Sequence, residues 1–271
     1  MEEEEIQLRL HGSAELPTLI YLPGLHGDWT LVASFRAAVR GRALFVEFTY
    51  PRTTSWSLED YARAVIAKLK EHDIAAGWLL AESFSSQVAW KIVELAGANG
   101  AHAVAFTPKG IVLCGGFVRH PTIWGVHFVR HCNRLVPAWL MRVLLRVYAA
   151  YAHLRHRRAP ETFASINEFV ARRTEEDRQA ILHRYALIIQ NDLRPIARQW
   201  THPVFYLSGF VDPIVPWPLV RPWLRRHCRG FRDSRIIFNA DHNVLGTAPK
   251  ESAEQIFRWM QEHETFLATS R

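Results

Sequence analysis

The sequence has little cysteine, and its cysteines follow no metal or disulfide pattern. Cys114, Cys132 and Cys228 are an odd number at wide spacings. This excludes a complete disulfide framework and any Cys-x-x-Cys metal or redox motif. We therefore expect reduced thiols and no structural metal.

The chain also lacks an uninterrupted apolar run long enough to cross a membrane. Its most apolar stretch, Leu135 to Leu154, contains Arg142 and Arg146, whereas a spanning helix needs roughly 20 largely uncharged residues. Met1 is followed by four glutamates, where a secretory leader would be basic. We expect a cytoplasmic protein without a transmembrane segment.

Acidic residues are missing from one long segment, although the chain has 26 of them in total. The residues from Phe117 to Arg158 contain eight arginines, five histidines and no Asp or Glu. Such a charge raises the possibility of nucleic-acid binding, but the chain has no zinc-finger spacing, RNP-type aromatic string or helix-turn-helix pattern. We expect no nucleic-acid partner.

What the sequence does contain is a regular alternation of short apolar runs and longer helical patterns, which is typical of βαβ units. Strands are predicted at 18–22, 43–48, 78–81, 110–114, 204–207 and 234–238, and helices at 31–39, 58–71, 84–95, 218–227 and 251–262.

The alternation stops once, because residues 117–196 read as helices without strands. The predicted fold class is α/β, a doubly wound and mostly parallel sheet whose first strand is 18–22. We predict core segments at 1–116 and 197–271, with 117–196 as a helical cap over the carboxyl ends of the strands, where ligands bind in open α/β sheets.

A candidate nucleophile lies between the third predicted strand and the helix that follows it. In the sequence Ala-Glu-Ser-Phe-Ser, the central Ser83 is flanked two positions away by the small residues Ala81 and Ser85. A sharp strand-to-helix turn would expose the Ser83 hydroxyl and place the Phe84 amide at a helix N-terminus. The alternative is that Ser83 only caps the helix.

This strand, elbow and inserted cap resemble the α/β-hydrolase family from Pro17 onward, although Ala81 and Ser85 replace the glycines of Gly-x-Ser-x-Gly. The resemblance implies the chain order Ser, then acid, then His. Asp212 follows a buried strand and a glycine, and His242 follows the last strand, so the implied triad is Ser83, Asp212 and His242. Asp241 is a competing acid.

The resemblance also implies an oxyanion hole formed by two backbone amides. One is that of Phe84. The other lies in the glycine-containing loop after the first strand, and alignment on Gly24 assigns it to Leu25, although His26 leaves the register open by one residue.

The cap contains one amphipathic pattern with a strongly basic face, from Pro137 to Arg158. We expect its apolar side to cover the site and its arginines to be solvated. Two alternatives stay open: the basic face binds an acidic carrier protein, or it binds an anionic lipid surface. Trp124 and Trp139 suggest a hydrophobic acyl group in the substrate.

The sequence therefore predicts a serine hydrolase that cleaves a carboxylic ester or thioester through an acyl-enzyme, with no cofactor and no metal. An acyltransferase, in which an alcohol replaces water, and a hydrolase of carrier-bound acyl esters remain alternatives. A non-catalytic binding protein is disfavoured by the intact triad. A haloalkane dehalogenase is disfavoured because the resemblance implies Asp at the elbow for that chemistry, whereas this chain has Ser83.

Overall fold

The computed structural model of the protein describes residues 5–97 and 106–269. Their strands form one seven-stranded sheet in the order β1-β3-β2-β4-β5-β6-β7. Every pair is parallel except β1 with β3. The strands are β1 Gln7–His11, β2 Thr18–Leu22, β3 Leu44–Thr49, β4 Ala76–Glu82, β5 Thr107–Cys114, β6 Val204–Val211 and β7 Phe231–Asp241.

The prediction that 18–22 is the first strand is wrong, because β1 precedes it. β1 pairs on one side only, antiparallel to β3, and none of its residues is fully buried. An edge strand of this kind has no long apolar run, which is the feature that marks the central parallel strands.

The sheet has two buried faces, and the central strands divide their side chains between them. In β2, Ile20 and Leu22 point to one hydrophobic cluster, whereas Leu19 and Tyr21 point to the other. This alternation follows from the two-residue period of a strand. The first face packs against α2 Leu58–Glu71, α3 Ser85–Gly97 and α9 Trp217–His227, and the second against α1 Ala33–Ala38 and α11 Pro249–Thr269.

Helices alone connect β5 to β6 in the structure. They are α4 Ile123–Leu135, α5 Ala138–Arg155, α6 Pro160–Ala171, α7 Glu175–Gln190 and α8 Arg194–Gln199. Ser34 and Thr162 exchange two hydrogen bonds, of 2.9 and 3.0 Å, that hold α6 on the core. The His183 ring bonds to the Trp56 carbonyl at 2.7 Å and holds α7. The division into core and cap at 116 and 196 stays a prediction.

One expectation about the cap is wrong. The apolar side of α5 was expected to cover the site, but much of it faces outward: Leu144, Val147 and Leu154 are 46%, 61% and 56% exposed. Among the described residues no single helix is long and apolar enough to cross a membrane, and α4 and the part of α5 from Trp139 meet at 116°.

Candidate active site

The sharp turn predicted around Ser83 is present between β4 and α3. β4 ends at Glu82, α3 begins at Ser85, and Ser83 between them has a φ of 50°. Few non-glycine residues adopt such a left-handed conformation, and it persists only where surrounding contacts hold it. The Ser83 amide donates to the Cys114 carbonyl at 3.0 Å, which anchors the elbow to β5.

Three side chains that are far apart in the sequence meet at the carboxyl ends of the strands. The Ser83 hydroxyl lies 2.9 Å from Nε2 of His242, and Nδ1 of His242 lies 2.8 Å from Oδ2 of Asp212. A carboxylate can only accept hydrogen bonds, so Nδ1 carries the proton and Nε2 is free to accept from Ser83. The structure therefore brings together, through two hydrogen bonds, the three residues that the sequence predicts as a triad.

The second oxygen of Asp212 keeps that carboxylate in place. Its Oδ1 accepts from the amides of Ile214 and Val215, both at 2.9 Å, and the side chain is fully buried. Both amides belong to the turn that follows β6. The turn therefore fixes the orientation of the Asp212 carboxyl group toward His242.

Asp241, the competing acid, has other partners. It accepts from Tyr151 at 3.0 Å and from Arg155 at 3.1 Å, and both donors lie on α5. Its oxygens also bond to the Asn243 amide. Asp241 thus joins α5 to the loop that carries His242, while Asp212 contacts the imidazole itself.

The loop predicted to carry the second oxyanion amide lies directly against the elbow. A Cβ added at Gly24 would stand 3.7 Å from Cβ of Ser83. The Ser85 hydroxyl, which replaces a glycine of the usual motif, donates to the Pro23 carbonyl and bonds to Tyr50 at 2.6 Å. Ser85 therefore ties the loop to the elbow. The oxyanion roles of the amides of Leu25 and Phe84 stay predictions.

Glu82, beside the nucleophile, supports the same loop from below. It accepts from the Tyr21 hydroxyl and from the Gly24 amide. Burial raises the pKa of Glu82, although these hydrogen bonds act to lower it. The sequence does not reveal this role, because both partners are distant in the chain.

Arg184 on α7 is a further residue that the sequence does not single out. Its side chain is among the largest that are fully buried, and it donates to the Leu25 carbonyl at 2.8 Å and to the Pro51 carbonyl at 2.9 Å. Its Nε also donates to Tyr61 at 3.3 Å. One guanidinium thus joins the cap to the candidate oxyanion loop and to the loop after β3.

We expect Arg184→Met to reduce kcat much more than it changes KM. The loop carrying Leu25 loses its support, while the residues that bind the rest of the substrate are unchanged. Leaving buried carbonyls unpaired costs about 1–3 kcal/mol each, so the melting temperature should also fall. Arg198→Met, an exposed arginine on α8, is the control. A variant that melts earlier but keeps its kcat below the melting range would contradict a role in positioning the loop.

The titration of His242 reflects two opposing effects. Burial lowers the pKa of His242, but the hydrogen bond and negative charge of Asp212 outweigh it, with smaller contributions from Glu82 and Asp241. The pKa therefore lies above its ordinary value of 6.5. Nearby His120 differs: burial, with the charge of His242, lowers its pKa to about 4, so it is neutral where His242 titrates.

We predict that kcat/KM for a neutral ester rises with pH through a midpoint above 6.5, because protonated His242 cannot accept the serine proton. Asp212→Asn removes the main cause that raises this pKa, so the residual activity should titrate at lower pH. The measurement is a pH profile of both proteins. An unchanged midpoint in the variant would contradict the assignment.

Comparison with solved structures identifies the fold. No family model and no curated protein sequence matches the chain. A hydrolase from Pseudomonas aeruginosa superposes with a TM-score of 0.73 at 13% identity, covering 94% of both chains. A thermophilic esterase from Thermogutta terrifontis gives 0.69 at 14% identity, covering 95% of this chain and 93% of its own.

A third structure, the enol-lactonase from Burkholderia xenovorans, superposes with a TM-score of 0.67 at 16% identity and covers 94% of this chain and 96% of its own. The chain has the α/β-hydrolase fold, and the predicted fold class is confirmed. At such low identities the similarity establishes the fold alone.

Proposed function

We propose that the protein is a serine hydrolase that cleaves a carboxylic ester or thioester with a hydrophobic acyl group through an acyl-enzyme on Ser83. The observation that carries the proposal is the hydrogen-bonded relay from Ser83 through His242 to the buried Asp212. Serine is a poor nucleophile at its free pKa, and this arrangement is the one that activates it.

The reaction would proceed in two halves. Ser83 attacks the carbonyl carbon while His242 takes its proton, and Asp212 stabilises the resulting imidazolium. The amides of Leu25 and Phe84 would bind the oxyanion, and the latter precedes a helix whose first amides have no intrahelical acceptor. His242 then protonates the leaving group, and water resolves the acyl-enzyme by the same route. No step requires a cofactor.

Apolar side chains at the carboxyl edge of the sheet support a hydrophobic acyl group. The rings of Phe210 and Phe238 stack with their centres 4.8 Å apart. In the sequence, Phe210 lies two residues before Asp212, and Phe238 lies four residues before His242. Ile214, in the turn after Asp212, is 55% exposed. These side chains offer an acyl chain an apolar surface beside the triad.

A series of p-nitrophenyl esters of increasing chain length tests the proposal. We expect hydrolysis that depends on Ser83, with kcat/KM rising by up to about fourfold for each added methylene that is buried, equivalent to about 0.8 kcal/mol. The rise should end when the apolar surface is covered. Absence of hydrolysis for every ester and thioester in the series would refute the proposal.

A further inference from the structure

The outer surface of the cap is unusually apolar for a protein surface in water. Six large side chains of α4 and α5 are each more than half exposed, and we call this surface the cap face. It consists of Trp124, Phe128, Leu135, Trp139, Val147 and Leu154, at 77, 65, 67, 62, 61 and 56% exposure. So many exposed large apolar side chains on two consecutive helices are unusual, and patches of such side chains mark interaction sites.

The cap face lies in a segment that carries only positive charge. No Asp or Glu occurs between Phe117 and Arg158. Beside α4, a cavity of about 530 Å³ reaches α7 and has Arg130, Arg134 and Arg178 in its lining, without an acidic side chain. Arg178 is paired with Glu175, and Arg130 donates through Nε to the Leu182 carbonyl at 3.2 Å. Arg130 and Arg134 have no acidic partner among the described ion pairs, so both can attract an anion.

The cap face is also connected to the candidate active site. Tyr151 and Arg155 on α5 bond to Asp241, the neighbour of His242, and Arg155 also donates to the Asn239 carbonyl at 2.8 Å. The C-terminal end of α5 is therefore held at the end of β7, three residues beyond Phe238. An occupant of the cap face at this end of α5 would lie near Phe238, one of the apolar side chains proposed to contact the acyl chain.

We propose that the cap face docks on an anionic membrane surface, so that the triad receives an ester dissolved in the lipid. The substrate part of this inference rests on the proposed function, whereas the docking does not. Aromatic and aliphatic side chains flanked by arginines are the composition that enters the interface of an anionic bilayer. No single described helix is long and apolar enough to cross a membrane, and α4 and α5 reach that length and apolarity only together, across a bend of 116°. The position that we propose for this bent pair is along the interface.

The charge distribution favours a bilayer over other occupants. A second copy of the chain would oppose the cap face with the same basic segment, and the like charges would repel. An acidic protein would match the charge alone. An anionic bilayer provides negative headgroups for the arginines and acyl chains for the exposed apolar side chains.

Vesicle flotation of the full chain tests the docking without relying on hydrolysis. The probe is a phosphatidylcholine vesicle, used alone or with about one third of its lipid replaced by phosphatidylglycerol. We expect the wild type and Ser83→Ala to float equally with the anionic vesicles and weakly with the neutral ones. Raising the salt should weaken binding, because the screening length falls from about 10 Å at 0.1 M to about 3 Å at 1 M.

Two sets of variants separate the apolar and the charged contributions. The triple change Trp124→Ser, Phe128→Ser and Trp139→Ser should abolish flotation, whereas leucine at the same positions should largely retain it. Since these side chains are exposed, neither the serine nor the leucine triple variant should unfold.

The charge variant replaces the exposed Arg134, Arg146 and Arg158 with glutamine; the side chain of Arg142 lies outside the described residues. Partitioning should fall by about 10- to 100-fold. The matched control replaces three exposed arginines at the opposite end of the sheet, near the end of α9, and should change it little: Arg225, Arg226 and Arg229.

Three results would overturn the docking. One is no flotation with anionic vesicles. Another is a wild-type protein that is a dimer in solution while the triple serine variant is a monomer. This would assign the cap face to a second copy of the chain. The third is equal flotation of the wild type and the triple variant with serine at positions 124, 128 and 139. Binding through charge alone would fit an acidic soluble partner. Hydrolysis of p-nitrophenyl esters in the absence of vesicles tests the proposed function separately.

Discussion

Replacing Ser83 with alanine is expected to reduce ester hydrolysis by about 10⁴-fold or more, with the fold intact. The change removes the oxygen that bonds to His242 at 2.9 Å and nothing else in the elbow. Alanine is small enough for the turn, so the circular dichroism spectrum should be unchanged. The measurement is kcat/KM on the ester that the wild type hydrolyses fastest.

The adjacent serines provide the control for this result. Ser86 is fully buried, and its hydroxyl donates to the Ser83 carbonyl and accepts from the Phe117 amide. We expect Ser86→Ala to lose stability, by about 1–3 kcal/mol, and to keep most of its activity below its melting range. If Ser86→Ala or Ser85→Ala were inactive and Ser83→Ala active, the assignment of the nucleophile would be wrong.

Asp212→Asn is expected to lower kcat by about 10⁴-fold, the scale seen when a triad acid is replaced by its amide. An asparagine amide can donate to Nδ1 of His242, which would place the imidazole proton on Nε2, facing Ser83. His242→Ala should be at least as damaging. Both proteins should retain their fold, because the side-chain oxygen at position 212, from Asp or Asn, still accepts from the amides of the following turn.

Asp241→Asn is the matched control for Asp212→Asn, because the two acids flank the same histidine. Asp241 bonds to Tyr151 and Arg155 on the cap. Its replacement should weaken the attachment of α5 and leave kcat within about tenfold of the wild type. A larger loss from Asp241→Asn than from Asp212→Asn would transfer the role of the acid to Asp241.

Much of the sheet can be predicted from the sequence, because its central strands are buried on both faces. Runs such as 18–22 and 110–114 are almost wholly apolar, and a glycine follows each of them within two residues. β1 escapes this reasoning. It is an edge strand whose residues are half-buried or exposed. It forms by pairing with β3, more than 30 residues later in the sequence.

That Ser83, Asp212 and His242 lie together can be predicted, because each follows a strand and their chain order matches a known family. Arg184 and Glu82 cannot, since their importance lies in contacts with carbonyls and amides of distant loops. The sequence of α5 predicts an amphipathic helix but does not say whether its apolar side is covered. In the structure much of it is exposed, for example at Val147.

Covalent labelling with a fluorophosphonate tests the central claim most directly, because this probe reacts much faster with a serine whose hydroxyl is activated than with an ordinary one. The wild type should gain the mass of one adduct, and peptide mapping should place it on Ser83. Ser83→Ala should remain unlabelled, and His242→Ala should be labelled far more slowly. An adduct on Ser85 or Ser86, or none on the folded wild-type protein, would contradict the account.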